Sequence, residues 1–274
     1  MLRKFSNSRT LGDNIKLGTL TAFAAGMVNV ASLLLFLSFS SNVTGYYAIV
    51  AAEIVKGNWY QTAVVFGWVF LFFLGSFTAN FMVIHLNKRN KYFAHSLPIS
   101  IEILCMMAVG LYGEFFYNET LVETEALLAL MLFAMGLQNG LTASISNFAV
   151  KTTHLTGTTT DLGILFSMFT KNEFRSNPAL RGRALLLSSI TISYVVGGVF
   201  AGIAHFHIGF KLFYIISLFL VIVIGYDAYK ISMVRYQWIS VRKKNRQLLT
   251  DTGAQDNIPL KTDTSTLEKE RSVC

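Results

Sequence analysis

Two polar motifs, each placed after an apolar stretch, contain the side chains of this chain that are best suited to chemistry. The first motif centres on "SNVTG" and the second on "TTHLTGTTTD". The candidate site residues at and before these motifs are Asn29, Asn42, Thr44, Gly45, Asn139, Thr156, Gly157 and Asp161. Amide, hydroxyl and carboxylate groups bind ions and small polar solutes, and such groups are costly to place in hydrocarbon. We therefore expect these residues to form a substrate- or ion-binding site.

Asp161 is the first candidate for ion or proton binding, because an aspartate at the centre of a bilayer costs about 2.5 to 3.5 kcal/mol on insertion scales. Structural explanations stay open for the other residues. Asn29 and Asn139 each lie three residues after a glycine, where the amide could bond across packed helices. Each Thr-Gly pair could simply form a turn and a helix cap. Glu102 lies about one turn into its predicted helix, where reaching the membrane surface or the helix dipole competes with a function.

The elements that hold these motifs are apolar enough to cross a membrane. Hydrophobic residues make up 53% of the 274 residues, charged residues only 14%, and the mean hydropathy is +0.50. Stretches without Asp, Glu, Lys or Arg cover 17–52, 57–87, 126–150 and 184–209, and each exceeds the roughly 20 residues that span a bilayer. A large soluble core would alternate apolar stripes with charged faces, whereas these stretches are apolar all round. The lipid bilayer is therefore the expected partner.

The hydropathy pattern predicts an all-α integral membrane protein with about six transmembrane helices and two short re-entrant or broken segments. The short segments, 45–56 and 158–170, follow the two Thr-Gly motifs. The long helices are predicted at 17–39, 58–85, 97–117, 123–149, 184–206 and 210–233.

The two motifs belong to a predicted internal repeat of the sequence. The offset between matching positions is 110 at the glycine and asparagine of the first helix, 112 at the Thr-Gly motif and 122 further on. The pairs are Gly26 with Gly136, Asn29 with Asn139, Thr44 with Thr156, and Gly75 with Gly197. The predicted parts are an N-terminal segment (1–16), a first membrane repeat (17–120), a second membrane repeat (121–233) and a disordered tail (234–274).

The distribution of charge orients the two repeats, because Lys and Arg favour cytoplasmic loops. The N-terminus, the loop around Lys88, the loop from Lys171 to Arg183 and the tail are basic, whereas the connector from Glu114 to Glu125 is acidic. Re-entrant short segments place all these basic parts inside, with both termini cytoplasmic and the repeats inverted. Eight ordinary helices, of which the second and sixth are short, remain the alternative.

The residues also carry a resemblance to a known family. "AAGMVNV" followed by "SNVTG", and "GLQNG" followed by "TTHLTGTTTDLG", resemble the YoaK-like family of bacterial multi-pass membrane proteins, a family of unknown function. The resemblance covers about residues 15–232. This chain has Asn29 where members commonly carry Asp, and Tyr46 where they commonly carry Asn. The resemblance implies a location in the bacterial inner membrane and supplies no activity.

The net charge of +8 does not indicate a nucleic-acid partner, because the basic residues lie in loops and tails beside the spans. Nucleotide-binding, zinc-protease and nucleophile-elbow motifs are absent from the sequence. We therefore predict no catalytic residue, no cofactor and no metal site, so that the protein is not an enzyme. A small-solute transporter or channel is the favoured function. A non-transporting interaction or regulatory protein and an intramembrane enzyme are the alternatives, and the sequence leaves the oligomeric state unknown.

Overall fold

The computed structural model of the chain describes residues 9–86 and 90–225, and all regular structure in that part is helical. The predicted all-α fold class is therefore confirmed. The chain divides into a unit that ends at Ile222 and a second unit that begins at Val223. Of the second unit, residues 223–225 are described, and they are helical. The predicted tail, residues 1–8 and the loop at Lys88 lie outside the described residues.

The helices follow the predicted order. The long ones are α1 (Leu11–Phe36), α3 (Trp59–Leu86), α4 (Lys91–Phe115), α5 (Leu121–Ile145) and α8 (Pro178–Ile208). The shorter ones are α2 (Val43–Lys56), α6 (Leu155–Met168) and α7 (Asn172–Arg175). A 3-10 turn, Gly209–Lys211, links α8 to a last helix, α9, described over 212–225.

Five segments of the described chain are long and apolar enough to cross a membrane. They are Leu11–Phe36, Trp59–Leu86, Tyr92–Phe115, Leu121–Ile145 and Pro178–Gly225. The last segment has 48 residues and contains both α8 and α9, which the sequence predicted as two separate spans. The short helices α2 and α6 are not among the five.

Several helices begin before their apolar runs, because the capping residues lie upstream. Thr10 and Asp13 form a reciprocal capping box at the start of α1, six residues before the predicted start at 17. Thr120 and Glu123 form the equivalent box at α5. α4 also begins earlier than predicted, at Lys91 rather than 97, and keeps Pro98 inside the helix. Polar first turns were therefore the least predictable parts of the helices.

The segment after α1 folds back along that helix instead of leaving the membrane region. Ser38 returns to accept a hydrogen bond from Ser32 through its carbonyl oxygen (2.7 Å), and Ser41 lies beside Asn29. Helix α2 therefore starts near the level of Asn29, seven residues or about two turns before the end of α1. Its 14 residues extend about 21 Å, less than the hydrocarbon thickness of about 30 Å. This geometry fits a re-entrant segment rather than a full span.

The chain after α5 behaves in the same way. Thr152 and Thr153 return to the side chain of Asn139, and the following helix α6 again has 14 residues. Neither short helix is long enough to cross a bilayer from such a starting level. Neither α2 nor α6 is among the described segments that are long and apolar enough to cross a membrane.

Helices α3 and α5 pack together and run in the same direction. A glycine from each helix removes the Cβ atoms that would keep the backbones apart, which is typical of close packing in membranes. A Cβ on Gly75 would overlap the carbonyl oxygen of Phe133, and one on Gly136 would overlap that of Phe72. Three hydrogen bonds mark the shared course: Trp68 Nε1 to Glu125 O (3.1 Å), Ser76 Oγ to Gly136 O (3.0 Å) and Ser144 Oγ to Asn80 Oδ1 (2.8 Å).

Helices α1 and α8 repeat this arrangement. A Cβ on Gly26 would overlap the carbonyl oxygen of Tyr194, and one on Gly197 would overlap that of Phe23. Towards the start of α1, Gly18 lies against Ile190, so that these two helices also run parallel. The two long-helix pairs are thus each built around one mutual contact of small residues.

The end of the bundle that contains residues 116–120 is called the connector end below. The ring of Phe36, at the end of α1, contacts the rings of Tyr117 and Phe210 there, with centroids 5.9 Å apart in both cases. At the opposite end, Leu11 lies against Gly182. Helix α1 ends at the connector end, and α5 begins there. The two helices therefore run in opposite directions.

A ladder of phenylalanines covers the outer face of α3. Its members are exposed and follow one another at three- and four-residue intervals, so that they form one stripe on the helix. They are Phe66, Phe70, Phe73, Phe77 and Phe81. A continuous apolar stripe of this kind suits contact with lipid chains.

Candidate functional site

Asn29, about two turns before the end of α1, holds the first helix break, which is the segment 37–42 between α1 and α2. Its side chain is buried, with 2% exposed. The Nδ2 atom donates to the carbonyl oxygen of Ala25 (3.1 Å) and lies 2.7 Å from Ser41 Oγ, while Oδ1 accepts from Ser40 Oγ (3.2 Å). The amide thus satisfies polar groups of a loop that has left the helical ladder.

Asn42 closes the same break as the N-cap of α2. Its Oδ1 atom accepts a hydrogen bond from the backbone N–H of Gly45 (3.2 Å). The side chain folds so closely over Gly45 that a Cβ there would lie 2.5 Å from Asn42 Nδ2. Gly45 therefore permits the cap, while the side chain of Thr44 beside it is exposed.

Asn139 holds the second helix break, which is the segment 146–154 between α5 and α6, in the same way. Its Nδ2 atom donates to the carbonyl oxygen of Met135 (2.9 Å), four residues earlier. Its Oδ1 atom accepts from Thr152 Oγ1 (3.1 Å) and from the backbone N–H of Thr153 (3.4 Å). The hydrogen bonds of both amides thus go to their own helix and to the segment that follows it, and a part of either residue in substrate or ion binding stays a prediction.

His154 occupies the position before α6 that Asn42 occupies before α2. The backbone angles are nearly the same, with φ −86° and ψ 53° at His154 and φ −82° and ψ 61° at Asn42. A Cβ on Gly157 would lie 2.5 Å from His154 Nε2. Unlike Asn42, His154 makes no side-chain cap hydrogen bond, so its exposed ring has no capping role.

The two breaks line one cavity of about 900 Å³. Its lining includes five of the predicted site residues, from both halves of the chain: Asn29, Asn42, Thr44, Asn139 and Thr156. Residues that were far apart in the sequence are thus brought together.

Asp161 and Gly157 do not line this cavity. They line a second one, of about 880 Å³, together with Arg183. Asp161 Oδ2 accepts a hydrogen bond from Arg183 Nη2 at 2.8 Å, in a pair that is partly exposed. The expectation that Asp161 joins Thr156 in one cavity is therefore not met, and the ion pair gives Asp161 a structural partner. Ion binding at Asp161 stays a prediction.

The cavity also contains polar residues that the sequence analysis missed. They are Ser76 and Asn80 of α3, Ser144 of α5, Tyr194 of α8, and Asn147, Lys151 and His154 of the second break. A lone amide such as Asn80 within an apolar helix could have been noticed, because polar side chains within membrane-spanning stretches are costly. Lys151 carries no comparable signal, since a lysine beside a span is usually explained by topology.

The described lining of the cavity is electropositive. Lys151 is its one Lys, Arg, Asp or Glu side chain. The first turns of α2 and α6, which include Thr44 and Thr156, also border it, and helix N-termini carry partial positive charge. The cavity thus suits a solute that is neutral and polar or negatively charged.

One segment separates the two cavities. Asn147, Phe148, Lys151 and His154 line both of them. Asn147 and Phe148 have φ values of 52° and 61°, a left-handed conformation that non-glycine residues adopt infrequently. The partition is thus a loop with an unusual backbone rather than a packed helix.

Comparison with known proteins gives a family without an activity. The model of a family described as "Protein of unknown function (DUF1275)" matches residues 17–226, which include nearly all of the described helices. No curated protein and no solved structure matches the chain. The function must therefore be argued from the cavity itself.

Proposed function

The chain belongs to the DUF1275 family of proteins of unknown function, and from its cavity we propose that it moves a small polar solute across a membrane. It acts as a transporter or a channel, with the binding site at the two chain breaks. The bacterial inner membrane and cytoplasmic termini remain part of this proposal, because they rest on the YoaK-like resemblance and on the charge of the loops.

The single observation that carries the proposal is the cavity lined by both breaks. Irregular backbone at membrane depth is tolerated where it is buried in protein or lines a water-filled space. In secondary transporters, interrupted helices place such backbone around a substrate site near the midplane. Here the interrupted segments reach the level of Asn29 and Asn139, which lie near the middle of the predicted spans 17–39 and 123–149.

The predicted inverted duplication is a second argument for this function. Under the predicted correspondence, Gly26 maps to Gly136 and Gly197 maps to Gly75, so the contact of α1 with α8 maps onto the contact of α5 with α3. The opposite directions of α1 and α5 agree with inverted halves. Inverted repeats are a common construction of secondary transporters, and each half contributes one break to the site.

The cavity limits the solute by charge rather than by identity. Without a carboxylate in its described lining, it offers a cation no counter-charge. Lys151 and the two helix N-termini instead favour an anionic group, and the amides and hydroxyls provide donors and acceptors. We propose a neutral polar or anionic small solute, and we propose no enzymatic activity.

Thr156 provides the test, because its exposed side chain lines the cavity and Thr160, one turn further along α6, does not. The purified protein is reconstituted into proteoliposomes, and uptake of neutral, anionic and cationic solutes is measured. Thr156→Val should weaken binding of the transported solute by about 1 kcal/mol, or about fivefold, the scale of one lost hydrogen bond.

Thr160→Val is the matched control and should leave the affinity unchanged. Folded protein that moves none of the solutes would favour a non-transporting interaction or regulatory protein instead. Equal effects of the two substitutions would place the binding site elsewhere.

A further inference from the structure

Glu102 lies deep inside the described bundle, in the middle of α4. The helix begins at Lys91, so Glu102 is about three turns from that end, and its side chain has 0% exposed area. Neither carboxyl oxygen has a hydrogen-bond partner. A position one turn from the helix start would reach the surface, but this one does not.

No described cation neutralises this carboxyl. In the described part of the chain, α4 packs against α3, α5 and the turn Gly209–Lys211, and its Gly110 lies against Phe213 and Tyr214 at the start of α9. Their ionisable residues, with the buried ones of α4 itself, are Tyr60, His85, Glu123, Glu125, Lys211, Tyr214, His95 and Cys105.

Most of these groups lie near the helix ends and interact with residues other than Glu102. Lys211 pairs with Glu114 at 3.4 Å, twelve residues or about 18 Å along α4 from Glu102. Tyr60 donates to Glu125 (2.6 Å), and His85 is exposed at the end of α3. His95 and Cys105 share the buried side of α4 with Glu102, seven residues before it and three after it. His95 has interactions of its own.

We propose that the Glu102 carboxyl is a proton-binding site that couples proton movement to the movement of the solute. An ionised carboxylate without a counter-charge or a hydrogen bond is strongly disfavoured in an apolar interior, so the carboxyl holds its proton in this conformation. When water reaches it in another conformation, the O–H bond breaks and the proton passes to water. The inference rests on the proposed function.

The packing of α4 links this group to the cavity. α4 lies against α5 and α3, which place Asn139, Ser144, Ser76 and Asn80 in the cavity lining. A movement of α5 or α3 that changes the cavity must therefore also change the packing around α4. A proton bound at Glu102 favours conformations in which the carboxyl is dry, and its release favours those in which the carboxyl is hydrated.

Carbodiimide labelling tests the proton site without any transport assay. Dicyclohexylcarbodiimide is an apolar reagent that adds to protonated carboxyl groups and leaves a stable acylurea. Reconstituted protein is treated across a pH series, and the peptide that contains Glu102 is measured by mass spectrometry. We expect an adduct at Glu102 that decreases as the pH rises, is lost in Glu102→Gln, and persists in the control Glu114→Gln.

Absence of the adduct at every pH would overturn the proton site, and so would an adduct whose yield does not change with pH. If Glu102→Gln does not fold, Glu102→Asp keeps a carboxyl at this depth and should show the same pH-dependent adduct.

Flux in the same proteoliposomes tests the coupling. A pH gradient should drive solute accumulation by the wild type, whereas Glu102→Gln should retain solute exchange and lose the gradient-driven accumulation. Flux that ignores the gradient in both proteins would overturn the coupling and leave the transporter proposal intact. Absence of all flux would overturn the transporter proposal and the coupling together, while the labelling would still decide whether Glu102 binds a proton.

Discussion

Gly75 provides the sharpest test of how the bundle is held together. In Gly75→Ala the new Cβ would overlap the carbonyl oxygen of Phe133 and would lie 2.9 Å from the backbone N of Leu137. Both contacts are to backbone, which cannot rotate away as a side chain can, so α3 and α5 must separate.

The structure gives the size of the expected effect. Overpacking of a filled interior costs about 1 to 3 kcal/mol. Separation of the helices also stretches the 3.0 Å hydrogen bond from Ser76 Oγ to the carbonyl oxygen of Gly136, a further 0.5 to 1.5 kcal/mol or so. We therefore expect Gly75→Ala to destabilise the protein by about 2 to 4 kcal/mol.

Gly67 is the matched control, because it lies two turns earlier on the same helix. A Cβ added there meets no atom within 4 Å. Gly67→Ala should be neutral or stabilising by up to about 1 kcal/mol, since alanine restricts the unfolded backbone more than glycine does.

Both variants are heated in detergent, and the remaining monodisperse protein is measured by size-exclusion chromatography. The midpoint should fall in Gly75→Ala and not in Gly67→Ala. Equal midpoints would refute the close helix contact on which the packing argument depends.

The remaining predictions concern charge and topology. Lys151→Gln should reduce uptake of an anionic solute more than uptake of a neutral one, because it removes the one full charge described in the cavity lining; equal reductions would show that the charge does not select the solute. Asp161→Asn should lower thermal stability by no more than about 1 kcal/mol, because the pair with Arg183 is partly exposed. If Asp161 binds an ion in addition to the proton proposed at Glu102, the same variant should also abolish uptake driven by that ion at unchanged protein yield. Cysteines at Glu119 and Arg175 should react with a membrane-impermeant thiol reagent from opposite faces in intact cells, from outside and inside respectively. Labelling of both from one face would contradict the inverted arrangement.

The sequence predicted the helices well because hydrocarbon demands long uncharged runs. It singled out Asn29 and Asn139 as a pair, because a polar group within such a run must find partners. It did not predict that these partners lie in the segment that follows each helix. Contacts between distant helices have no such local signature. The partner of Asp161 is Arg183, 22 residues later on another helix, and this pair places Asp161 outside the cavity.

Glu102 shows how a helix boundary changes an interpretation. The hydropathy pattern predicted a start at 97, next to Pro98, and a proline is favoured in the first turn of a helix. The structure keeps Pro98 inside α4 and extends the helix to Lys91. The carboxyl then lies three turns deep rather than one, and surface access is replaced by burial.

The two predicted halves of the chain differ at Tyr46. Its predicted counterpart in the second half, Thr158, is small and lines the second cavity. Tyr46 instead fills the corresponding space: its ring packs 5.4 Å from that of Trp68, and its hydroxyl donates to the carbonyl oxygen of Phe39. A solute in the first cavity would therefore find this aromatic plug between itself and the connector end. The barrier that distinguishes a gated carrier from an open pore would then depend on the displacement of one side chain.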